Sequence, residues 1–351
     1  MMLAILADDL TGACDTGCLF AGAGAVPVTV WPLDEAPARA NVARVQVVDT
    51  ESRHLGAGEA AARVTRAAHA HPAPSYFKKI DSTLRGSIGA EVEALMTVTG
   101  ARRALVCPAF PAQGRTVVDR RLLVEGRPAA DVVDRLRPQL TRPIASLRLA
   151  EVRAGRAALG AALARLDAPV VVADAETDGD LDALVDAALT LDAAPLLVGA
   201  AGLARALAAR LGVLRERVAL PPARRWLLIA GSLHPATRRQ VQAARDAGLT
   251  VIASAPAASA DAGAAARTLA DEARRLLQTE RFDAIVVTGG DTAVALYDAL
   301  GRGRLELVGP PGPGLALARL AVPGRDDIWL VTKAGGFGDP DLLVSLAKAA
   351  A

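Results

Sequence analysis

Residues 2–12 read Met-Leu-Ala-Ile-Leu-Ala-Asp-Asp-Leu-Thr-Gly. A short apolar run ends in two adjacent acids, and Thr11 and Gly12 then lead into an alanine-rich helical stretch. The same alternation of short apolar, often β-branched runs with alanine-rich stretches continues along nearly the whole chain, which is the pattern of βα units building mostly parallel sheets. Working outward, the runs Met2–Ala7, Pro27–Trp31, Arg44–Asp49, Tyr76–Ile80, Arg103–Cys107, Pro169–Ala173 and Pro195–Val198 read as one set of strands. Trp226–Ala230, Thr250–Ala253, Ala284–Val287 and Ile328–Val331 read as a second set, with helices such as Thr237–Ala247 and Thr292–Leu300 between them. The fold class is α/β, with two domains that each carry a mostly parallel sheet flanked by helices. Between the sets, Ala219-Leu-Pro-Pro-Ala-Arg-Arg225 places two prolines where no helix can continue. The expected division is 1–218, a linker at 219–225, and 226–351. A length of 351 residues suits it, because single cores stop growing beyond ~250–300 residues.

Composition narrows the function. Forty Lys and Arg stand against 38 Asp and Glu, a net charge of +2, and there are only three Trp, two Tyr and five Phe. Nucleic-acid binders carry a basic excess and, for single strands, stacking aromatics, so no nucleic-acid partner is expected. No apolar run approaches the ~20 residues of a membrane span, and the opening Met-Met-Leu-Ala-Ile-Leu-Ala-Asp-Asp meets acids before a signal-peptide core forms. No membrane association and a cytoplasmic location are expected. Cys14, Cys18 and Cys107 are odd in number and lack C-x-x-C spacing, which suits a reducing compartment and small packing residues.

Ligands of open α/β sheets bind beyond the carboxyl ends of strands, so the strand-to-helix junctions carry the chemistry. The first offers Asp8 and Asp9; adjacent carboxylates there hold a cation, a metal or a substrate hydroxyl, although Asp9 or Thr11 equally fits a helix N-cap. Later junctions bring Arg53, in Thr-Glu-Ser-Arg-His, and Lys79, Asp81, Ser82 and Arg85, in Lys-Lys-Ile-Asp-Ser-Thr-Leu-Arg-Gly. Arginine grips a carboxylate through paired hydrogen bonds, lysine neutralises it, and carboxylates accept from hydroxyls. This set suits a small polyhydroxy acid; a solvated basic loop capped at Ser82 is the plainer reading of the same residues. A junction rich in Pro and Gly, Pro108 to Thr116, reads either as a site loop, with Arg115 as a further anion contact, or equally as a rigid connector. In the second set the junctions are glycine-rich: Gly231-Ser232, Thr288-Gly289-Gly290-Asp291-Thr292 and Ala334-Gly335-Gly336-Phe337-Gly338. Such turns let backbone N–H groups approach phosphate oxygens, and a helix starting at Asp291 or Thr292 adds its positive end. Lys333 is placed to meet a phosphate or simply to lie in solvent, and His234 reads as a solvent-facing loop residue. The chain has no Walker P-loop, no G-x-G-x-x-G opening the first helix of either domain, and no G-x-S-x-G elbow.

Six blocks together resemble the four-carbon acid sugar kinase family: ADDLTGACDTG at 7–17, KKIDSTLRGSIGAE at 78–91, PAFPAQGRT at 108–116, GSLHPATRRQ at 231–240, TGGDTA at 288–293 and TKAGGFGDPDLL at 332–343. They run from the first strand to the last helix. The resemblance implies a sugar-acid-binding N-terminal domain, a nucleotide-binding C-terminal domain, a homodimer, and ATP-dependent phosphorylation of erythronate, threonate or their 3-oxo forms. Carried over residue by residue, it puts substrate contacts on Asp8 or Asp9, Arg53, Lys79, Asp81 and Ser82, and ATP contacts on Ser232, the Gly289–Thr292 turn and Gly335. Two departures stand out: the stretch from Gly231 to Gly289 is shorter than the family's, and Val117-Val118-Asp119-Arg120-Arg121 stands where a glycine-containing turn is expected.

The kinase expectation assigns Asp9 as the base for the attacking hydroxyl. Lys79, Arg53 and Arg85 hold the acid's carboxylate, and the glycine turns hold the phosphates of ATP with Mg²⁺. Two rivals are a nicotinamide-dependent oxidoreductase of a small hydroxy acid, disfavoured by the missing G-x-G-x-x-G, and a nucleotide- or metabolite-binding sensor without turnover.

Overall fold

The computed structural model describes residues 2–33, 43–254 and 262–349. They pack as two compact units: one runs to Ala23 and from Thr29 to Leu214, and the other takes Gly24–Val28 and the chain from Arg215 onward.

Up to Leu214 the elements are β1 (Leu3–Ala7), α1 (Leu10–Gly17), β2 (Val26–Val30), β3 (Val45–Asp49), α2 (Ala57–Ala70), β4 (Ser75–Lys79), α3 (Ile88–Thr99) and β5 (Ala104–Cys107). Next come a short antiparallel ribbon of β6 (Arg115–Val118), β7 (Arg121–Val124) and β8 (Arg127–Asp131), and then α4 (Val132–Leu136) and β9 (Ile144–Leu147). The remainder is α5 (Leu149–Val152), α6 (Arg156–Arg165), β10 (Val170–Ala173), α7 (Asp178–Ala188), β11 (Leu196–Gly199) and α8 (Ala201–Arg210). The sheet of this unit runs β3-β1-β4-β11-β5-β10-β9, every neighbour parallel. Strands buried on both faces need apolar residues throughout, and every residue of β1, β5, β10 and β11 is buried. The chain moves one way from β1 to β3 and the other way from β3 to β4. Right-handed crossovers then put α1 and α2 on opposite faces; α2 packs on α3, and α1, α8, α7 and α6 pack in series. The crevice opens where the direction reverses, beside the carboxyl ends of β1, β3 and β4.

The second unit holds β12 (Trp226–Ala230), α9 (Pro235–Asp246), β13 (Thr250–Ala253), α10 (Ala262–Thr279), β14 (Ala284–Thr288), α11 (Gly290–Ala299), β15 (Leu305–Gly309), β16 (Leu315–Leu320), β17 (Ile328–Lys333) and α12 (Leu342–Ala349). Its sheet runs β13-β12-β14-β17-β16-β15, parallel as far as β17 and antiparallel beyond. Trp226, Leu228, Val286, Leu317, Val331, Leu343 and Leu346 form its core. The direction of the chain reverses at β12, between β13 and β14, and that edge carries the glycine-rich junctions.

Three features depart from the sequence reading. The run at Pro27–Trp31 was expected with the first set of strands, but Val26–Val28 pairs antiparallel with Leu305–Leu307 of β15 and belongs to the second unit. The strands β6 to β9, β15 and β16 were not expected; they are short, half-exposed or interrupted by charges, so no long apolar run announces them. Third, the glycine expected near Val117–Arg121 is replaced by a different device. Asp119 and Arg120, at the turn from β6 to β7, take left-handed φ of 50° and 66°, a conformation hairpin turns usually assign to Asn-Gly or Asp-Gly. Their N–H groups donate to the buried Asp174 carboxylate at the end of β10, at 2.8 and 2.9 Å.

Candidate functional site

In the first unit the junction after β1 is built around one guanidinium. Ser52 and Arg53 donate their N–H groups to the Asp8 carbonyl at 3.0 and 3.1 Å, which locks the segment after β3 onto the end of β1. The Arg53 side chain then donates through Nε and Nη2 to the two Asp8 oxygens at 2.8 and 2.9 Å, and its Nη1 lies 2.6 Å from Asp9 Oδ2. Burial opposes ionisation of Asp8, but Arg53, Lys78 and Lys79 outweigh it and hold the carboxyl below the usual carboxylate range. Burial likewise opposes the charge of Arg53, and Asp8 and Asp9 raise its pKa well above the ordinary value. Asp9 is also the N-cap of α1: Oδ1 accepts from Gly12 N at 2.9 Å and Oδ2 from the Thr11 hydroxyl at 2.6 Å. The capping and charge-pairing readings of this residue are therefore both realised.

After β4 the chain turns through left-handed φ at Leu84 and Gly86, wrapping residues 81–85 around a second ion pair. Arg85 donates through Nε and Nη2 to Asp81 at 3.0 and 2.8 Å, and Asp81 also accepts from Thr83. Burial alone would raise the Asp81 carboxyl; Arg85 and Arg53 hold it far below the usual range. Arg53 Nη2 stands 3.8 Å from Asp81, joining the two pairs. Lys79 is buried, and its Nζ donates to the Ile80 carbonyl at 2.9 Å. Gly12 is required beside it: a Cβ there would lie 2.5 Å from Asp9 Oδ1 and 2.8 Å from Lys79 Nζ. Of the expected substrate residues, Asp8, Asp9, Arg53, Asp81 and Arg85 form one charge network, with Lys79 against its edge. Ser82 is half-buried and caps no helix, since α3 begins at Ile88.

Sequence reasoning passed over the layer beneath. Lys78 and Lys79 alternate across β4, so they point to opposite faces. Lys78 Nζ lies 3.0 Å from Glu91 of α3, both side chains being fully buried, and Glu91 accepts from Ser52, whose hydroxyl is 2.7 Å from Thr50. Asp15, inside the first quoted block, was also passed over; burial pushes its carboxyl up to about 6, with Lys79 opposing and Asp9 adding to the rise.

In the second unit the glycine-rich junctions follow the adjacent strands β12, β14 and β17. A Cβ at Gly231 would collide with Thr292, and one at Gly335 with Ser232; a Cβ at Gly289 would come within 3.4 Å of Ser232 N. Ser232, Gly289, Thr292 and Gly335 are thus drawn together, with Gly290 and Asp291 in the first turn of α11. Gly289 has φ 98°, which favours glycine. Thr237 donates to the Gly335 carbonyl at 2.5 Å, and Gln240 Nε2 donates to the carbonyls of Phe337, Gly338 and Asp339 at 2.9–3.0 Å. Lys333 is buried rather than solvated: its Nζ donates to the carbonyls of Ala334 and Gly335, and burial lowers its pKa to about 8. His234 is exposed, but its Nδ1 caps α9 by accepting from Ala236 N at 3.2 Å. Glycine turns closed down on the Ser232 and Thr292 hydroxyls, beside the start of α11, make a compact polar junction of the kind that suits phosphate groups. Among the described residues no three His, Cys, Asp or Glu side chains gather to hold a metal, and no helix is long and apolar enough to cross a membrane.

Residues 3–207 match the model of a sugar-binding N-terminal domain, and residues 249–343 match that of a nucleotide-binding C-terminal domain. The chain is 36% identical to a D-threonate kinase of Cupriavidus necator, over 95% of this chain and 94% of that one. It is 31% identical to a D-threonate kinase of Salmonella typhimurium, over 98% and 97%. A 3-oxo-tetronate kinase of Pseudomonas fluorescens is 28% identical over 97% and 95%. Among solved structures, a Bordetella bronchiseptica protein described as a domain-swapped dimer with bound citrate is 30% identical, with a TM-score of 0.53 and coverage of 100% and 98%.

Proposed function

Because the chain belongs to the four-carbon acid sugar kinase family, we propose that it transfers the terminal phosphoryl group of ATP to a hydroxyl of a tetronate or 3-oxo-tetronate. The observation that carries the proposal is the network of Asp8, Asp9, Arg53, Asp81 and Arg85 at the ends of β1, β3 and β4. It offers carboxylates that accept from sugar hydroxyls, held in place by cations that fix their orientation. Asp9 is assigned to receive the proton of the attacking hydroxyl. Three donors already fix its oxygens, so it is oriented for that transfer without rearrangement. In the second unit, Ser232, Gly289, Gly290, Thr292 and Gly335 supply backbone and hydroxyl donors to the phosphates. Mg²⁺ fits as an ion carried on those phosphates, since it keeps most of its waters and needs one or two carboxylates; Asp291 in the first turn of α11 is such a carboxylate. When bound, the ion neutralises charge on the transferred group. A cytoplasmic homodimer accompanies this reading, the dimer supported by the assembly described for the Bordetella relative.

The test is ADP release by the purified protein with Mg·ATP against D- and L-threonate, D-erythronate and their 3-oxo forms. Turnover of at least one acid is expected, and Asp9→Asn lowers its kcat by ~10²- to 10⁴-fold with ATP binding retained. Absence of turnover on every acid would sink the kinase reading. Near-normal turnover by Asp9→Asn would move the base elsewhere.

A further inference from the structure

Charge pairing within the first unit's site leads to a sharper statement about how an acid substrate is read, one that rests on the proposed kinase function. Arg53, the first choice for gripping a carboxylate, already meets two: three of its nitrogens face Asp8 and Asp9, and its side chain is only 9% exposed. Arg85 is committed through two nitrogens to Asp81. Those three aspartates already occupy both guanidinium groups, and Lys79 at the edge balances their remaining charge, so neither arginine is left unpaired for a further carboxylate. Two cations nearby form no ion pair with a described residue, Lys79 and Arg115.

Arg115 is the better placed of the two to receive a planar anion. It is the first residue of β6, its backbone fixed by reciprocal hydrogen bonds with Phe110 at 2.8 and 3.1 Å, after a turn through Gly114 with φ 66°. Its Nη1 donates to the Gln113 carbonyl, whereas its Nε is buried with no acceptor, and so is the amide nitrogen of Gln113 two residues earlier. A buried donor left without an acceptor is costly unless a ligand supplies one. Arg115 also feels the charges of Asp81, of Glu125 and of Arg85, so it shares the electrostatic field of the aspartate network. Lys79, by contrast, is packed against Gly12 and offers a point charge without the paired geometry.

We infer that Arg115, with the Gln113 amide beside it, binds the carboxylate of the four-carbon acid and selects acids over neutral sugars, while Arg53 serves to hold Asp8 and Asp9. The acid's hydroxyls then fall on the aspartate network, and its carboxylate lies on the side of β6.

The experiment compares kcat/KM for the acid and for its neutral amide, in wild type, Arg115→Ala, Arg115→Lys and Arg85→Ala. Arg115→Ala is expected to raise KM for the acid by ~100-fold with a small change in kcat, and to leave the amide within about 3-fold, so that acid-over-amide preference collapses. Arg115→Lys, which keeps charge but not the paired donors, gives an intermediate loss of about 10-fold; it carries the test if the alanine variant does not fold. Arg85→Ala, which loosens Asp81, lowers kcat/KM for the acid and the amide alike, so the ratio between them is kept. A preference unchanged in Arg115→Ala, or in Arg115→Lys where alanine is not tolerated, overturns the inference and leaves the kinase reading standing. No turnover of any acid by wild type overturns both.

Discussion

Asp15 stands one helical turn beyond Gly12 on α1, and its carboxyl, pushed up to about 6 by burial, faces Lys79 as an attractive neighbour and Asp9 as a repulsive one. A folded-state pKa above the ordinary value means that the folded protein holds a proton which the unfolded chain releases. The stabilisation is complete at low pH and is lost as pH rises through about 6. Thermal melts of wild type and Asp15→Asn across this range are therefore expected to diverge in one direction: the variant gains on wild type between about pH 4 and 6, and the gap stays constant above. A gap independent of pH would show that this carboxyl titrates as an exposed one does. Asp15 was hard to find because nothing local marks it, whereas Asp8, Asp9, Arg53 and Asp81 each follow a strand run, and Lys79 ends one, so they are legible from position. Glu91 was invisible for a similar reason. Its role depends on Lys78 turning away from Lys79 across β4 and on α3 covering that face, a pairing between a strand and the helix after it that no local spacing encodes.

Among elements, the β6–β7 turn most clearly separates what a sequence states from what a fold supplies. The run Val117–Arg121 lacks glycine, and its left-handed residues are held from outside by Asp174, more than fifty residues later in the chain. The Asp174 carboxylate also accepts from Leu149 N at 3.2 Å, so one side chain ties together β10, the start of α5 and the ribbon that begins at Arg115. Asp174→Ala leaves three N–H groups without this acceptor and is expected to cost about 3 kcal/mol. It should also raise KM for the acid by loosening Arg115. The measurement is urea unfolding together with steady-state kinetics; unchanged stability would mean that the turn holds its shape unaided. The buried parallel strands were legible because burial on both faces forces continuous apolar runs. The ribbon strands were not, because half-exposed antiparallel strands carry charges and prolines that dilute their pattern, as in Arg-Pro-Ala-Ala-Asp of β8; β15 and β16 are interrupted by Glu306 and Arg319.

At the scale of the whole molecule, the α/β class and the change from charged to glycine-rich junctions follow from order along the chain, and both are present in the fold. Assignment of residues to units does not follow from order, because Gly24–Val28 joins a unit whose other residues start at Arg215. The pairing of Val26–Val28 with Leu305–Leu307 spans most of the sequence and rests on backbone hydrogen bonds that any apolar segment offers equally. It has a physical consequence for dissection of the protein. A fragment starting at Arg215 keeps the glycine cradle but leaves β15 with an unpaired edge, its buried Leu305 and Leu307 beside a row of free N–H and C=O groups. Bare edges of this kind template pairing between chains. The fragment is expected to self-associate and to melt below the intact chain, and a version in which residues 24–28 are fused back through a flexible linker is expected to melt higher than the bare fragment. Light scattering and thermal melts decide the matter. A monomeric fragment that is as stable as the intact chain would mean that β15 needs no such cover, and that the early strand contributes connectivity rather than stability.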